Sequence, residues 1–237
     1  MIPTPGVSII MPVFHESSVI HDSLESLGHL VGITNAEVIL VDGGAGSTVD
    51  SVCTAHYPYT IRTCVSPPGR GRQLAEGAEL STAPHLVFLH VDTRIRRDAL
   101  LEIGKILSRH AAGAFDLYVR SSSYYIKTVA AFASVRSRLT RIPYGDQVHF
   151  VRKEIYVQIG GYREMPIMED VEFMSRLKHH GHRIKFARSF AADPDRRWRK
   201  EGPVRRTLAN WSLMLAYRLG VSASRLSSYY KPHAAPA

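Results

Sequence analysis

Cysteine is almost missing from this chain of 237 residues, with Cys53 and Cys64 the two present. Two thiols build no disulfide framework and lack metal-site spacing, so buried, reduced cysteines in a cytoplasmic protein are expected. Long apolar runs are absent too. None approaches the roughly 18 residues that a membrane-spanning helix needs. The opening MIPTPGVSIIMPVF has no basic segment and Pro12 interrupts it, so no secretion signal is expected. Glycine is lacking where a dinucleotide fold requires it: the turn after the first apolar strand reads MPVFHE. No GxxxxGK[ST] loop occurs, which removes the usual ATPase and GTPase chemistries.

What is present is an ordinary globular composition, 45% hydrophobic and 22% charged, with a net charge of +9. That excess points to an anionic partner: nucleotide phosphates, nucleic acid or an anionic membrane surface. Short apolar strands at 7–11 (stopped by Pro12), 37–41, 60–65 and 86–90 alternate with helical patterns. Ile20, Leu24, Leu27 and Val31 mark one helix, ended by Gly32, and Leu100, Ile103 and Leu107 another. This alternation predicts an α/β fold with a mostly parallel sheet, which binds ligands at the carboxyl ends of its strands. The second half predicts a basic helix over 124–141, a strand at VHFV and a helix ending at Gly160–Gly161. A further helix carries Val171, Met174 and Leu177 inward, and another covers 204–220.

Polar or glycine-rich residues follow all four strands: PVFHE, DGG, SPPGRGRQ and HVDTR. Residues two apart on a strand share a face, so His90 and Asp92 are expected together at the end of the fourth. The run Gly69-Arg70-Gly71-Arg72 could bring amides and guanidinium groups to a pyrophosphate, or form a solvated turn. Asp42 could accept a hydrogen bond from a base or ribose, or cap the next helix.

The segments VSIIMPVFHE, VILVDGG, GRGRQLAEGA, FLHVDTR and GDQVHFVRKE…GGYREMPIMED stand in the order used by family 2 glycosyltransferases, which the chain resembles from about Val7 to Trp198. With its PYGDQ segment it looks closest to a compact bacterial subgroup described as radical-SAM- or selenodomain-associated transferases. The resemblance implies a GT-A fold, Rossmann-like, with a C-terminal helical extension. It divides the chain into a GT-A domain over 1–200, nucleotide-binding in 1–110 and acceptor-binding in 111–200, followed by a helix and tail over 201–237. It implies an inverting enzyme of hexosyltransferase type that moves a sugar from a nucleotide-diphosphate donor, UDP-sugar favoured, to a hydroxyl acceptor.

Carried onto these positions, the resemblance puts Pro12, Phe14, Glu16, Asp42, Arg72, Gln73 and Val91 against the donor nucleotide. Asp92 would ligate a divalent cation. His90 stands where the family's first aspartate is usual, either a ligand or a neighbour of the ribose. Imidazole favours Mn²⁺ over Mg²⁺. Asp170 becomes the general base, with Glu169 supporting it. Asp146 and Gln147 face the acceptor, and Arg197 and Trp198 the diphosphate or acceptor.

Two other readings compete. His90 suggests a catalytically degenerate GT-A protein that binds nucleotide or a partner. The basic, aromatic stretches suggest a nucleic-acid-binding protein, but no recognised motif supports one and no nucleic-acid partner is expected. The acceptor is a small or lipid-linked molecule. The helix over 204–220 packs on its own domain, pairs two subunits, or lies on the inner face of the membrane.

Overall fold

The structure, a computed structural model, describes residues 6–194 and 202–229. Eight strands form one sheet in the order β3-β2-β1-β4-β7-β6-β8-β5. They are β1 (Val7–Val13), β2 (Ala36–Asp42), β3 (Thr60–Val65), β4 (His85–Phe88), β5 (Arg94–Ile95), β6 (Ala112–Arg120), β7 (His149–Arg152) and β8 (Ile184–Pro194). The first four strands pair in parallel, as the alternating pattern predicts. Beyond β4 the sheet turns mixed: β7 is antiparallel to β4 and β6, β8 is parallel to β6, and β5 antiparallel to β8.

The helices are α1 (Ser17–Gly28), α2 (Arg70–Leu80), α3 (Ala99–Leu107), α4 (Tyr124–Thr140), α5 (Lys153–Gln158), α6 (Glu169–His179), α7 (Pro203–Arg218) and α8 (Ala223–Ser227). Side chains of a strand alternate faces, and the two cores divide accordingly. Ile9, Met11, Val38 and Leu40 face α1 and α3, while Ile10, Ile39 and Val41 face α2 and α6. Each such buried side chain contributes about 1.5–3 kcal/mol, so a sheet covered on both faces is the main source of stability. A smaller cluster of Leu117, Val119, Ile126 and Ala130 seats α4 on β6.

Several expectations are corrected. The first strand runs past Pro12 to Val13. Ile10 C=O accepts from Leu89 N–H, so even-numbered residues of β1 turn their polar groups toward β4, whose pairing ends at Ile10 and Phe88. The missing N–H of Pro12 therefore falls beyond the ladder and breaks no bond. Helix α1 ends at Gly28, leaving Val31 exposed. The glycine-rich run after β3 opens a helix rather than a solvated turn. Cys53 is exposed and Cys64 half-buried, both free.

Candidate functional site

The loops that follow β1 and β2 form one wall, and hydrogen bonds stitch them together. Gly43 N–H donates to Val13 O and Glu16 N–H to Thr48 Oγ1, while His15 Nδ1 lies 3.0 Å from Ser47 Oγ. His15 and Ala45 adopt left-handed backbone (φ 54° and 56°), a strain that such stitching holds in place. Asp42 accepts three backbone N–H groups, from Gly44, Thr48 and Val49. The carboxamide of Gln73, on α2, donates both to Val13 O (2.9 Å) and to Val41 O (2.8 Å). Phe14 stands exposed at the rim of this wall, with Pro12 and Glu16 half-buried beside it.

The opposite wall is acidic. Met168, itself left-handed (φ 65°), opens α6, so that Glu169 and Asp170 occupy its first turn, where the helix dipole favours carboxylates. Arg70, the first residue of α2, hydrogen-bonds Glu169 and lies 4.0 Å from Asp170 Oδ2. The two helix ends approach this closely because residue 71 is glycine: a Cβ there would stand 2.3 Å from Arg163 O and 3.2 Å from Glu169 Cβ. Glu169 is only 1% exposed, and burial raises its pKa against the opposing pull of Arg70.

Asp170 is held on both oxygens: Gly145 N–H donates to Oδ2 at 2.7 Å and Val171 N–H to Oδ1 at 2.8 Å. His90 comes to the same place. A Cβ on Gly145 would lie 3.2 Å from His90 Nε2 and 3.4 Å from Asp170 Oδ2, so imidazole and carboxylate flank one glycine. Behind them Arg136, from α4, stacks 3.5 Å over the Tyr144 ring. One of its guanidinium nitrogens, Nη1, is buried and has no hydrogen-bond partner among the described residues. Asp146, Asp170 and Arg218 of α7 lie near enough to act on that cation. Buried carboxylates beside buried cations at a sheet's ligand edge can exchange a proton and balance negative charge.

The family model for glycosyl transferase family 2 matches residues 8–163, about two thirds of the chain. The chain belongs to this family. Its fold is also that of solved glycosyltransferase structures. A mannosyltransferase, PcManGT from Pyrobaculum calidifontis, in complex with GDP-Man and Mn²⁺, matches with a TM-score of 0.68 and 19% identity, over 96% of this chain and 70% of that one. TarS of S. aureus matches with a TM-score of 0.64 and 14% identity, over 79% of this chain but 36% of that one. TarS residues 1–349 in complex with UDP match with a TM-score of 0.62 and 15% identity, over 79% and 60%. The chain thus spans between about a third and three fifths of the TarS chains it matches. No curated protein sequence matches it.

Within this family 2 chain several expected contacts take other roles. Gln73 is buried and its amide hydrogens are committed to two strand ends, so it straps the ends of β1 and β2 together. Val91 packs in the core, and its carbonyl accepts from Arg94. Gln147 is buried, accepting from Ser137 Oγ and Tyr144 N–H and donating to Phe115 O. Asp42 has no exposed surface, and its carboxylate shapes the loop that follows β2. Arg72 pairs with Glu76 and lies 3.7 Å from Glu164. His90 and Asp92 stand in a turn after β4, closed by Thr93 N–H to His90 O, not on the strand. Arg197 and Trp198 lie outside the described residues. Arg70 belongs to the glycine-rich run whose guanidinium groups the sequence offers to a pyrophosphate, whereas no local pattern marks Arg136.

Among the described residues no group of three or more His, Cys, Asp or Glu side chains could hold a metal ion. His90 and Asp92 therefore offer at most a partial set. That fits a hard cation that takes one or two protein ligands and completes its shell with substrate phosphates and water.

Proposed function

We propose that this chain is an inverting glycosyltransferase that moves a sugar from a nucleoside-diphosphate donor, UDP-sugar favoured, onto a hydroxyl acceptor, with Asp170 as general base. The observation that carries this reading is the double anchoring of the Asp170 carboxylate beside His90, at the carboxyl edge of the sheet. Fixed on both oxygens, the carboxylate cannot swing away and is pre-oriented toward an incoming hydroxyl. As the acceptor oxygen forms its bond to the anomeric carbon, its proton passes to Asp170. The bond from that carbon to the diphosphate breaks, and the electron pair leaves with the phosphate oxygen.

The stitched loops after β1 and β2 would bound the nucleotide, with Phe14 at the rim. Arg70 and Arg136 add positive charge where the diphosphate gains negative charge. Asp92, with His90, would hold a divalent cation, Mn²⁺ favoured, which when bound neutralises charge on the leaving diphosphate. Arg70 opposes the burial that raises the Glu169 pKa, and Glu169 in turn fixes Arg70 next to the base.

The reading is tested by a hydrolysis and transfer screen with UDP-, GDP- and dTDP-sugars in Mn²⁺ and in Mg²⁺. Turnover of a UDP-sugar with Mn²⁺ is expected. Failure of every donor to bind and to turn over would overturn it.

A further inference from the structure

We propose that the face made by α4 and α7 docks on the surface of an anionic lipid bilayer. On α4, Phe132, Val135 and Leu139 recur at helical spacing, and on α7 so do Trp211, Leu215 and Leu219, so each trio makes one stripe. All six are more than half exposed, Leu139 at 79% and Leu219 at 77%. The opposite side of α4 packs Ile126 and Ala130 on β6, and α7 buries Met214 beside its stripe. The two helices touch, with Arg218 close enough to act on Arg136, so both stripes belong to one region of the surface. Large contiguous apolar patches of this kind on a soluble surface mark an interaction face.

Charge selects the occupant. Residues 117–145 and 202–237 contain no Asp or Glu, yet hold ten of the chain's 30 Lys and Arg. All 21 acidic residues lie elsewhere, so the rest of the chain is close to neutral and these two segments account for the whole positive excess. Lys127 on α4, Arg205 and Arg218 on α7 and Arg225 on α8 are exposed. Aliphatic side chains in the centre with cations at the rim match acyl chains below anionic headgroups. A second copy would bring two positive faces together, which like-charge repulsion opposes. Nucleic acid would meet leucines where it needs cations. Among the described residues no helix is long and apolar enough to cross a membrane, so the contact lies in the interface plane.

Docking in this way puts the catalytic wall beside the lipid. Arg136 stacks on Tyr144, and the next residue, Gly145, holds Asp170. An acceptor whose hydroxyl is carried by a membrane-anchored molecule would meet the base there; this last step rests on the transferase reading, while the docking itself does not.

The test is vesicle flotation without any nucleotide, using phosphatidylcholine alone and phosphatidylcholine mixed with phosphatidylglycerol. The chain is expected to float with the anionic vesicles only. Leu139→Glu combined with Leu215→Glu should lower partitioning about tenfold or more, and Arg225→Glu about fivefold, with unchanged melting temperatures. In a Trp198→Phe background, brominated lipid should quench Trp211. Absence of flotation, flotation indifferent to the double substitution, or light scattering that shows a dimer dissolved by that substitution overturns the proposal.

Discussion

The backbone N–H of Gly145 donates a 2.7 Å hydrogen bond to Asp170, joining the turn after α4 to the first turn of α6 across 25 residues of sequence. The same glycine leaves room for His90 Nε2. Carboxylate and imidazole are thus placed by an absent side chain. Gly145→Ala is expected to fold, since the backbone there is not left-handed, but the new methyl must push His90 by a few tenths of an ångström while it fills the contact with Asp170. Steady-state kinetics should show kcat lowered about tenfold or more, with a stability change below about 1 kcal/mol.

Arg70→Met removes the partner of Glu169, which is 1% exposed. An unpaired buried acid costs about 1–3 kcal/mol, and burial, already raising the Glu169 pKa, would then act unopposed by this cation. Urea denaturation should report that loss, with reduced turnover alongside it.

The Gln73 strap gives a different signature. Gln73→Leu leaves Val13 O and Val41 O without their side-chain donor, a cost of about 1–3 kcal/mol. Because those strand ends carry the nucleotide loops, nucleoside-diphosphate affinity measured by calorimetry should fall.

The first half of the fold was legible because its strands are short apolar runs between amphipathic helices; β3 lies at 60–65, as the pattern predicts. The second half hid two strands. β6 reads AGAFDLYVR, with small and charged residues blurring its alternation, although β8 begins IKFA in plain period two. Helix α2 looked like a loop because its glycines answer to distant partners: Gly77 lies against Ile10, where a Cβ would meet Cγ2 at 2.5 Å. Such close approaches are tertiary facts that no local pattern carries. The Glu169–Asp170 pair was readable as a motif, whereas its contacts with Arg70, Gly145 and His90 come from remote segments that only folding brings together.

A pH prediction follows from His149, which is 1% exposed, with Nδ1 2.8 Å from Tyr162 Oη and Nε2 3.2 Å from Pro143 O. Burial pushes its pKa down from 6.5 to about 4. The unfolded chain therefore takes a proton that the folded chain refuses. The stabilisation is fully present above pH 6.5 and is lost as pH falls toward 4, by up to about 3 kcal/mol. Urea melts across that window should show the decline, and His149→Gln should flatten it.

The most direct test of the account is Asp170→Asn, which keeps the shape of the side chain and removes its basicity. Donor affinity is expected to match the parent chain and the melting temperature to fall modestly, because the new amide nitrogen faces one of the two backbone N–H donors, while kcat for sugar transfer falls about 10²- to 10⁴-fold. Transfer at close to the parent rate would contradict Asp170 as the base.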